Sequence, residues 1–162
     1  MSEKKPKVVV FDLDYTLWPF WVDTHVTPPF RKCSKKNEVV DAHGQTIRHY
    51  KDSPEILKQL SEQGYEIGIA SRTSEIKGAN QLLELFGWNK YIKYKEIYPG
   101  TKTTHFSKIK KASGVGYEEM IFFDDEQRNI TDLTKVGVLS ILVKDGVSHQ
   151  VIQDALKKFS NR

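Results

Sequence analysis

A single cysteine, Cys33, stands among the 162 residues of the chain, which excludes an internal disulfide and any metal site built from several cysteines. A phosphatase with a cysteine nucleophile needs an arginine six positions later to close its phosphate-binding loop, and this chain has Val39 there. We therefore predict that Cys33 takes no part in chemistry.

Long apolar runs are also missing, and no stretch approaches the ~18 residues that a membrane-spanning helix requires. Residues 1–7 lack the apolar segment of a secretory signal peptide. We expect a cytoplasmic protein without a membrane partner.

The charge balance is only slightly basic, with 25 basic against 21 acidic residues and a formal net charge of +4. The lysines form small clusters without interleaved aromatic residues, which argues against a nucleic-acid partner. The positive balance weakly favours an anionic substrate. The five histidines lack the spacing of a zinc site, and we expect most of them on the surface. Of the five, only His25, in the insertion described below, is considered further.

Apolar strand-like runs alternate with helical segments along the chain, which is typical of an α/β fold with a parallel sheet flanked by helices. We predict one domain over residues 1–162. The predicted strands cover residues 8–11, 65–70, 94–98, 120–123 and 138–143. The predicted helices cover residues 53–64, 75–86, 103–113, 127–135 and 148–159, the first capped by Ser53 and the second ended by Gly87.

Residues 18–52 interrupt this alternation and form an insertion after the first strand. Within them, residues 38–40 and 45–47 flank a four-residue turn and predict a β-hairpin. The insertion should lie over the carboxyl end of the first strand, where ligands bind in open α/β sheets.

Two acids, Asp12 and Asp14, follow the first strand directly. On an extended segment their carboxylates would lie on the same side, about 6.6 Å apart. Their repulsion at an effective dielectric near 20 is on the order of 2.5 kcal/mol, which calls for a nearby cation. Two acids that cap neighbouring amides are the alternative. Thr16 could orient Asp14 by hydrogen bonding.

Ser71 and Arg72 follow the second core strand, at a strand-to-helix turn whose hydroxyl and amides could hold phosphate oxygens. A serine helix cap beside a surface arginine is the alternative. Lys102 precedes a helix, where the dipole disfavours a cation, so a nearby phosphate or carboxylate would explain it. Other lysines compete for that role from within the helix. They are Lys108, Lys110 and Lys111.

Asp124 and Asp125 follow a third apolar strand. Carboxylates are ligands for a hard cation, and together with Asp12 and Asp14 they favour Mg²⁺. Ordinary acids at a helix N-terminus are the alternative.

These residues resemble the haloacid dehalogenase (HAD) superfamily, whose phosphatases carry an Asp-x-Asp-x-Thr motif. Residues 12–16 match that motif, and Ser71, Lys102 and the pair Asp124-Asp125 match the other three motifs in order. Residues 11–30 and 71–75 resemble one phosphatase subgroup in particular. The resemblance implies a Rossmann-like core with a minimal cap formed by the insertion.

The resemblance also implies roles. Asp12 would attack phosphorus and form a phosphoaspartate, while Asp14 would protonate the leaving oxygen and then activate water. Mg²⁺ would be bound by the Asp12 carboxylate, the Asp14 main-chain carbonyl and Asp125, with Asp124 in support. Ser71 and Lys102 would bind the phosphoryl group, and Arg72 could reach the substrate. Asp14 argues against a dehalogenase, and Tyr15, where the transport ATPases of the superfamily have lysine, argues against an ATPase.

The substrate stays open at this stage. The resemblance implies a phosphatase for protein phosphotyrosine, or alternatively for sugar phosphates and phosphorylated glycated amines. Trp18, Phe20 and Trp21 could stack on a substrate ring or simply pack the insertion onto the core. A phosphomutase, or a phosphate-binding module without activity, would share the same motifs. We expect a monomer.

Overall fold

The strands and helices of the chain alternate as expected. The computed structural model describes residues 4–34 and 37–162. The strands are β1 (Val8–Phe11), β2 (Arg31–Cys33), β3 (Glu38–Val40), β4 (Glu66–Ser71), β5 (Tyr94–Ile97), β6 (Met120–Asp124) and β7 (Leu139–Leu142). The helices are α1 (Ser53–Glu62), α2 (Ile76–Leu85), α3 (Lys102–Ser113), α4 (Gln127–Lys135) and α5 (His149–Ser160).

Five strands form the central sheet in the order β5-β4-β1-β6-β7, and every neighbouring pair is parallel. The chain builds the β4 side first and then crosses to β6 on the other side of β1. The strand order therefore reverses at β1, and a ligand site is expected outside the carboxyl ends of β1 and its neighbours. The parallel sheet flanked by helices confirms the predicted α/β class.

The apolar run of β1 is continuous because both faces of the sheet are covered. Val9 and Phe11 pack into a core shared with α1, α2 and α5, whereas Val8 and Val10 pack into a second core with α3 and α4. The alternation follows from the two-residue period of a strand. Among the described residues, none of the helices is long and apolar enough to cross a lipid bilayer.

The start of α1 differs from the prediction of a serine cap. Asp52 occupies the cap position without capping the helix through its side chain, and Ser53 is the first helical residue. The Ser53 hydroxyl instead donates to the carbonyl of Leu17 at 2.8 Å, while Asp52 Oδ2 accepts from the main-chain N–H of His149 at 3.2 Å. Tertiary hydrogen bonds have therefore replaced the local cap. The predicted terminator of α2, Gly87, does adopt a positive φ of 74°.

The predicted hairpin of the insertion is formed in part. Residues 45–47 fold back on β3 through one antiparallel bridge between Thr46 and Val40 and a hydrogen bond from Ile47 N to the Val39 carbonyl, whereas the full antiparallel partner of β3 is β2. The Asp41 carboxylate accepts hydrogen bonds from the main chain at Thr27, His43 and Gln45. Because these contacts curl the chain around Asp41, the segment that follows does not continue as a strand.

Candidate active site

The carboxyl ends of β1, β4 and β6 and the first turn of α3 converge on a cleft of about 300 Å³. All but one of the residues proposed from the sequence line it. They are Asp12, Asp14, Ser71, Arg72, Lys102 and Asp125, while Asp124 is buried directly behind them. A surface hollow of about 780 Å³ beside α2 is larger, but it contains none of these residues.

Lys102, the first residue of α3, is fully buried and its ammonium has three acceptors. Nζ donates to Asp12 Oδ1 at 2.9 Å, to Asp124 Oδ2 at 2.9 Å and to the carbonyl of Ala70 at 2.6 Å. Burial alone would lower the pKa of Lys102, but the charges of Asp12 and Asp124 and their hydrogen bonds outweigh it, so the pKa is raised. The lysine therefore stays charged, which explains a cation at a helix N-terminus.

Asp12 is buried at the end of β1, and its two oxygens have different partners. Oδ1 accepts from Lys102, and Oδ2 accepts from the Thr16 hydroxyl at 3.3 Å. The expectation that Thr16 orients Asp14 is therefore wrong. The turn after β1 folds Thr16 back beneath Asp12, with Thr16 N and Leu17 N both bonded to the Leu13 carbonyl.

Asp14 is held by the insertion rather than by the motif threonine. Its Oδ1 accepts from the indole Nε1 of Trp18 at 2.8 Å and from the main-chain N–H of Val22 at 3.2 Å. Burial raises the pKa of Asp14 from 3.8 to about 6, although both hydrogen bonds oppose the rise. A carboxyl group that titrates near neutral pH can serve as both acid and base.

Asp12, Asp124 and Asp125 form a cluster whose ligand oxygens lie within 4.8 Å of one another. Against these three carboxylates stands the single ammonium of Lys102, so two negative charges remain uncompensated when all are ionised. Burial raises the pKa of Asp125 to about 6, with the charge of Asp124 adding to it, and burial likewise raises the pKa of Asp12. Clustered, partly desolvated oxygen ligands with excess negative charge fit Mg²⁺.

Asp124 is fixed more firmly than the sequence indicated. Its Oδ2 accepts from Lys102 and from the Asn129 side-chain amide at 3.0 Å, and its Oδ1 accepts from the main-chain N–H of Glu126 at 2.9 Å. Asn129, which also lines the cleft, escaped the sequence reasoning. The sequence did place Asn129 in the first turn of the helix that follows Asp124 and Asp125, and this position could have indicated that it lies at the site.

Ser71 is the last residue of β4 and lies in the cleft. Its hydroxyl oxygen accepts a hydrogen bond from the main-chain N–H of Thr73 at 3.3 Å. The alternative that Ser71 caps α2 is wrong, because Glu75 holds the cap position and accepts from Gly78 N at 3.0 Å. Arg72 is half-buried beside it and lines the cleft. Ser71 and Arg72 therefore both lie at the cleft, and their phosphate-binding role stays a prediction.

His105 is the buried exception among the five histidines, most of which were expected on the surface. It is completely buried, with Nδ1 2.9 Å from the Thr101 carbonyl and Nε2 2.9 Å from the Ser71 carbonyl. Nε2 also lies 2.8 Å from the carbonyl of Tyr98. The ring thus ties the end of β4 to the turn that carries Lys102. His105 lies three residues after Lys102 and four before Ile109, both buried, and this helical spacing was the missed signal.

Comparisons with known proteins identify the family of the chain. The acid phosphatase family model matches residues 4–162. The chain belongs to the acid phosphatase family. It is 53% identical to human magnesium-dependent phosphatase 1 over 155 residues, covering 96% of this chain and 88% of the relative. This is the subgroup that residues 11–30 and 71–75 resemble.

More distant relatives place the family within the HAD superfamily. A HAD-like hydrolase superfamily protein of Schizosaccharomyces pombe is 44% identical over 145 residues, which cover 82% of this chain and 83% of that protein. A HAD-superfamily hydrolase from Geobacter sulfurreducens matches the fold with a TM-score of 0.67 at 16% identity, covering 93% of this chain and all of that one.

The aromatic residues at the start of the insertion of this acid phosphatase family member, Trp18, Phe20 and Trp21, fall into two groups. Trp18 and Phe20 are buried and stack on each other at 5.5 Å, and Trp18 also stacks on Trp88. These rings pack the insertion onto the core, so the packing alternative is correct for them. Trp21, by contrast, is 49% exposed and lines the cleft, where it stacks on His25.

Proposed function

We propose that the chain is a Mg²⁺-dependent phosphatase that hydrolyses phosphate monoesters through a phosphoaspartate at Asp12, with protein phosphotyrosine as its substrate. The observation that carries this proposal is the arrangement around Asp12. Its carboxylate shares Lys102 with Asp124, lies in the acidic cluster, and opens into the same cleft as Asp14 and Ser71. This shared cleft supports the proposal that the motif residues act together on one phosphoryl group.

The proposed reaction has two half-reactions. An oxygen of Asp12 forms a bond to phosphorus as the bond to the leaving oxygen breaks, and Asp14 gives its proton to that leaving oxygen. In the second half-reaction Asp14, now a carboxylate, takes a proton from water, and the water oxygen forms a bond to phosphorus. The bond between phosphorus and the Asp12 oxygen breaks, which releases inorganic phosphate and regenerates Asp12. Both steps need Asp14 to change protonation, which its pKa of about 6 allows near neutral pH.

A carboxylate and a phosphate dianion repel each other, so the site must supply positive charge. Mg²⁺, bound by Asp12, Asp125 and the Asp14 main-chain carbonyl, would neutralise charge on the transferring group. From the chain itself, Lys102 contributes an ammonium at Asp12, and the Ser71 hydroxyl with the neighbouring amides would bind phosphoryl oxygens. Arg72 would contact the remainder of the substrate.

The cleft is lined by side chains of two kinds, and this bears on the substrate. Trp21 offers an exposed indole suited to an aromatic phosphate ester, which supports phosphotyrosine. The same cleft is also lined by polar side chains that could form hydrogen bonds with sugar hydroxyls, namely Asp23, Thr24 and Glu126. A phosphatase for sugar phosphates or phosphorylated glycated amines, with the same mechanism, is therefore the second candidate. We propose that the enzyme acts in the cytosol as a monomer.

The first experiment measures phosphate release from p-nitrophenyl phosphate with Mg²⁺ and after treatment with EDTA, for the wild type and for Asp12→Asn. We expect turnover only with Mg²⁺, and a loss of at least about 1,000-fold in Asp12→Asn without a change in the far-UV circular dichroism. Near-normal turnover by the variant contradicts the nucleophile assignment. Phosphate binding without turnover by the wild type would instead indicate a binding module.

A second experiment compares kcat/KM across phosphotyrosine peptides, sugar phosphates and phosphorylated glycated amines. The highest value for phosphotyrosine peptides supports the proposed substrate, and the highest value for either other group favours the second candidate. Adding an alcohol as a competing acceptor then distinguishes a hydrolase from a transferase, since only the latter gives a new phosphate ester as the main product.

A further inference from the structure

Trp21 is an unusual residue for a protein surface. Among the described residues it is the most exposed of the large hydrophobic side chains, followed by Ile76 and Val136. It is also the only one of these three that lines the catalytic cleft, where it lies with Asp12 and Asp14. An aromatic side chain left half in water beside reacting groups requires an explanation.

The indole is held in place from two sides. Its ring stacks on the His25 imidazole with centroids 5.1 Å apart and planes 12° from parallel, and Tyr15 meets it edge-on at 5.8 Å. The main-chain N–H of Trp21 donates to His25 Nδ1 at 2.9 Å, and the Trp21 carbonyl accepts from His25 N at 2.9 Å. Because these contacts already fix the indole, the Trp21 side chain loses little conformational entropy when a ligand stacks on it.

This arrangement differs from that of the other two tryptophans. Trp18 and Trp88 are buried and stack on each other within the core, so their faces are not accessible to a ligand. The indole of Trp21 alone joins an accessible apolar surface to the cleft that contains the nucleophile.

We infer that Trp21 is a specificity-determining residue that stacks on the aromatic ring of an aryl phosphate ester, and that His25 is a positioning residue that holds the indole. This inference rests on the proposed phosphatase function. An aryl ring beside the indole removes apolar surface from water and stacks favourably, whereas a small alkyl phosphate reaches the same phosphate site without that contact. Trp21 therefore should raise kcat/KM for aryl over alkyl phosphates by about tenfold.

The kinetic test measures kcat/KM for a phosphotyrosine peptide, glucose 6-phosphate and ethyl phosphate in the wild type, Trp21→Ala and Trp21→Phe. We expect the aryl-to-alkyl ratio to fall about tenfold in Trp21→Ala and to recover in large part in Trp21→Phe. Ile76→Ala, which removes another exposed apolar side chain outside the cleft, is the matched control. An unchanged ratio in Trp21→Ala overturns the inference, as does a selective loss with glucose 6-phosphate.

The role of His25 has its own variant. His25→Asn keeps a hydrogen-bond acceptor for Trp21 N–H but removes the stacked ring, and His25→Ala removes both. A positioning role predicts that the aryl-to-alkyl ratio falls in both variants, and further in His25→Ala. A purely structural role would lower kcat/KM for the aryl and the alkyl phosphates equally. That result would contradict the positioning role of His25.

A binding test separates this inference from the proposed function. Tryptophan fluorescence of Asp12→Asn is titrated with phenyl phosphate and with inorganic phosphate, in the presence of Mg²⁺. We expect phenyl phosphate to change the tryptophan emission more than inorganic phosphate does. This difference between the two ligands should disappear in the double variant that also carries Trp21→Phe. A difference that persists without Trp21 overturns the inference. An absence of turnover in the wild type would overturn the proposed function, and this titration would still decide whether Trp21 stacks on aryl phosphates.

Discussion

The indole Nε1 of Trp18 donates a hydrogen bond to Oδ1 of Asp14 over 2.8 Å, although the Trp18 ring itself is completely buried. One residue thus belongs both to the core that anchors the insertion and to the candidate acid/base group. The position and the proton affinity of Asp14 therefore depend on how the Trp18 ring packs against Phe20 and Trp88.

Trp18→Phe tests this relationship, because it keeps an aromatic ring but removes the donor. The hydrogen bond from Trp18 lowers the pKa of Asp14, so its loss should raise that pKa above about 6. We expect the pH dependence of kcat to move toward higher pH, and the free energy of unfolding to fall by about 1–3 kcal/mol. Phe20→Leu disturbs the same packing without touching Asp14, and an equal shift of the pH profile in that control would contradict the role of the hydrogen bond.

Lys102 should be needed for stability as well as for activity. In Lys102→Met, Asp12 and Asp124 lose their shared counter-ion in a buried setting. We expect the metal-free protein to lose about 3–5 kcal/mol in the free energy of unfolding, measured by urea denaturation. Mg²⁺ should restore part of that loss, because it supplies positive charge to the same carboxylates.

The matched control for this variant is Lys111→Met, which removes an exposed lysine from the same helix. Its free energy of unfolding should change by less than about 0.5 kcal/mol. Equal losses in the two variants would contradict the central position given to Lys102.

The sheet and most site residues could be predicted because their signals are local. A strand covered on both faces, such as β1 or β6, must be apolar throughout, and the side chains that follow such strands meet at one edge of the sheet. The features that escaped prediction depend on distant partners. The Ser53 hydroxyl donates to the Leu17 carbonyl, and the His105 ring lies 2.9 Å from the Ser71 carbonyl. No short-range pattern encodes either contact.

The hydrogen bond from Thr16 shows the same limit within the catalytic motif itself. The spacing of the motif places Thr16 near both acids, so the sequence left its partner undetermined. The tight turn through Leu13 decides in favour of Asp12. The part played by Asn129 likewise depends on the orientation of α4 relative to β6.

Asp14 should destabilise the metal-free protein at neutral pH. Its pKa in the folded chain is about 6 against a reference of 3.8, so between these values the folded state holds a proton that the unfolded state has released. Stability from this group is therefore present at low pH and is lost as the pH rises to about 6. We expect Asp14→Asn to raise the free energy of unfolding by at most about 3 kcal/mol at about pH 7, and by almost nothing below about pH 4. Urea denaturation in EDTA at several pH values checks this, and a gain that is independent of pH would contradict it.

Mg²⁺ binding should release protons, because the acidic cluster is partly protonated without a metal. Burial and mutual repulsion raise the pKa of Asp125 to about 6, and the ion must compete with the protons that these carboxylates hold. We expect the Kd for Mg²⁺ to decrease as the pH rises through about 6 and then to level off, with proton release detected by calorimetry in two buffers of different ionisation enthalpy. Asp125→Asn should weaken binding and flatten this pH dependence. Glu119→Gln, which removes a half-buried acid paired with Lys7 near the opposite end of β6, should change neither quantity. A pH-independent Kd in the wild type would show that the cluster is already ionised before the metal binds.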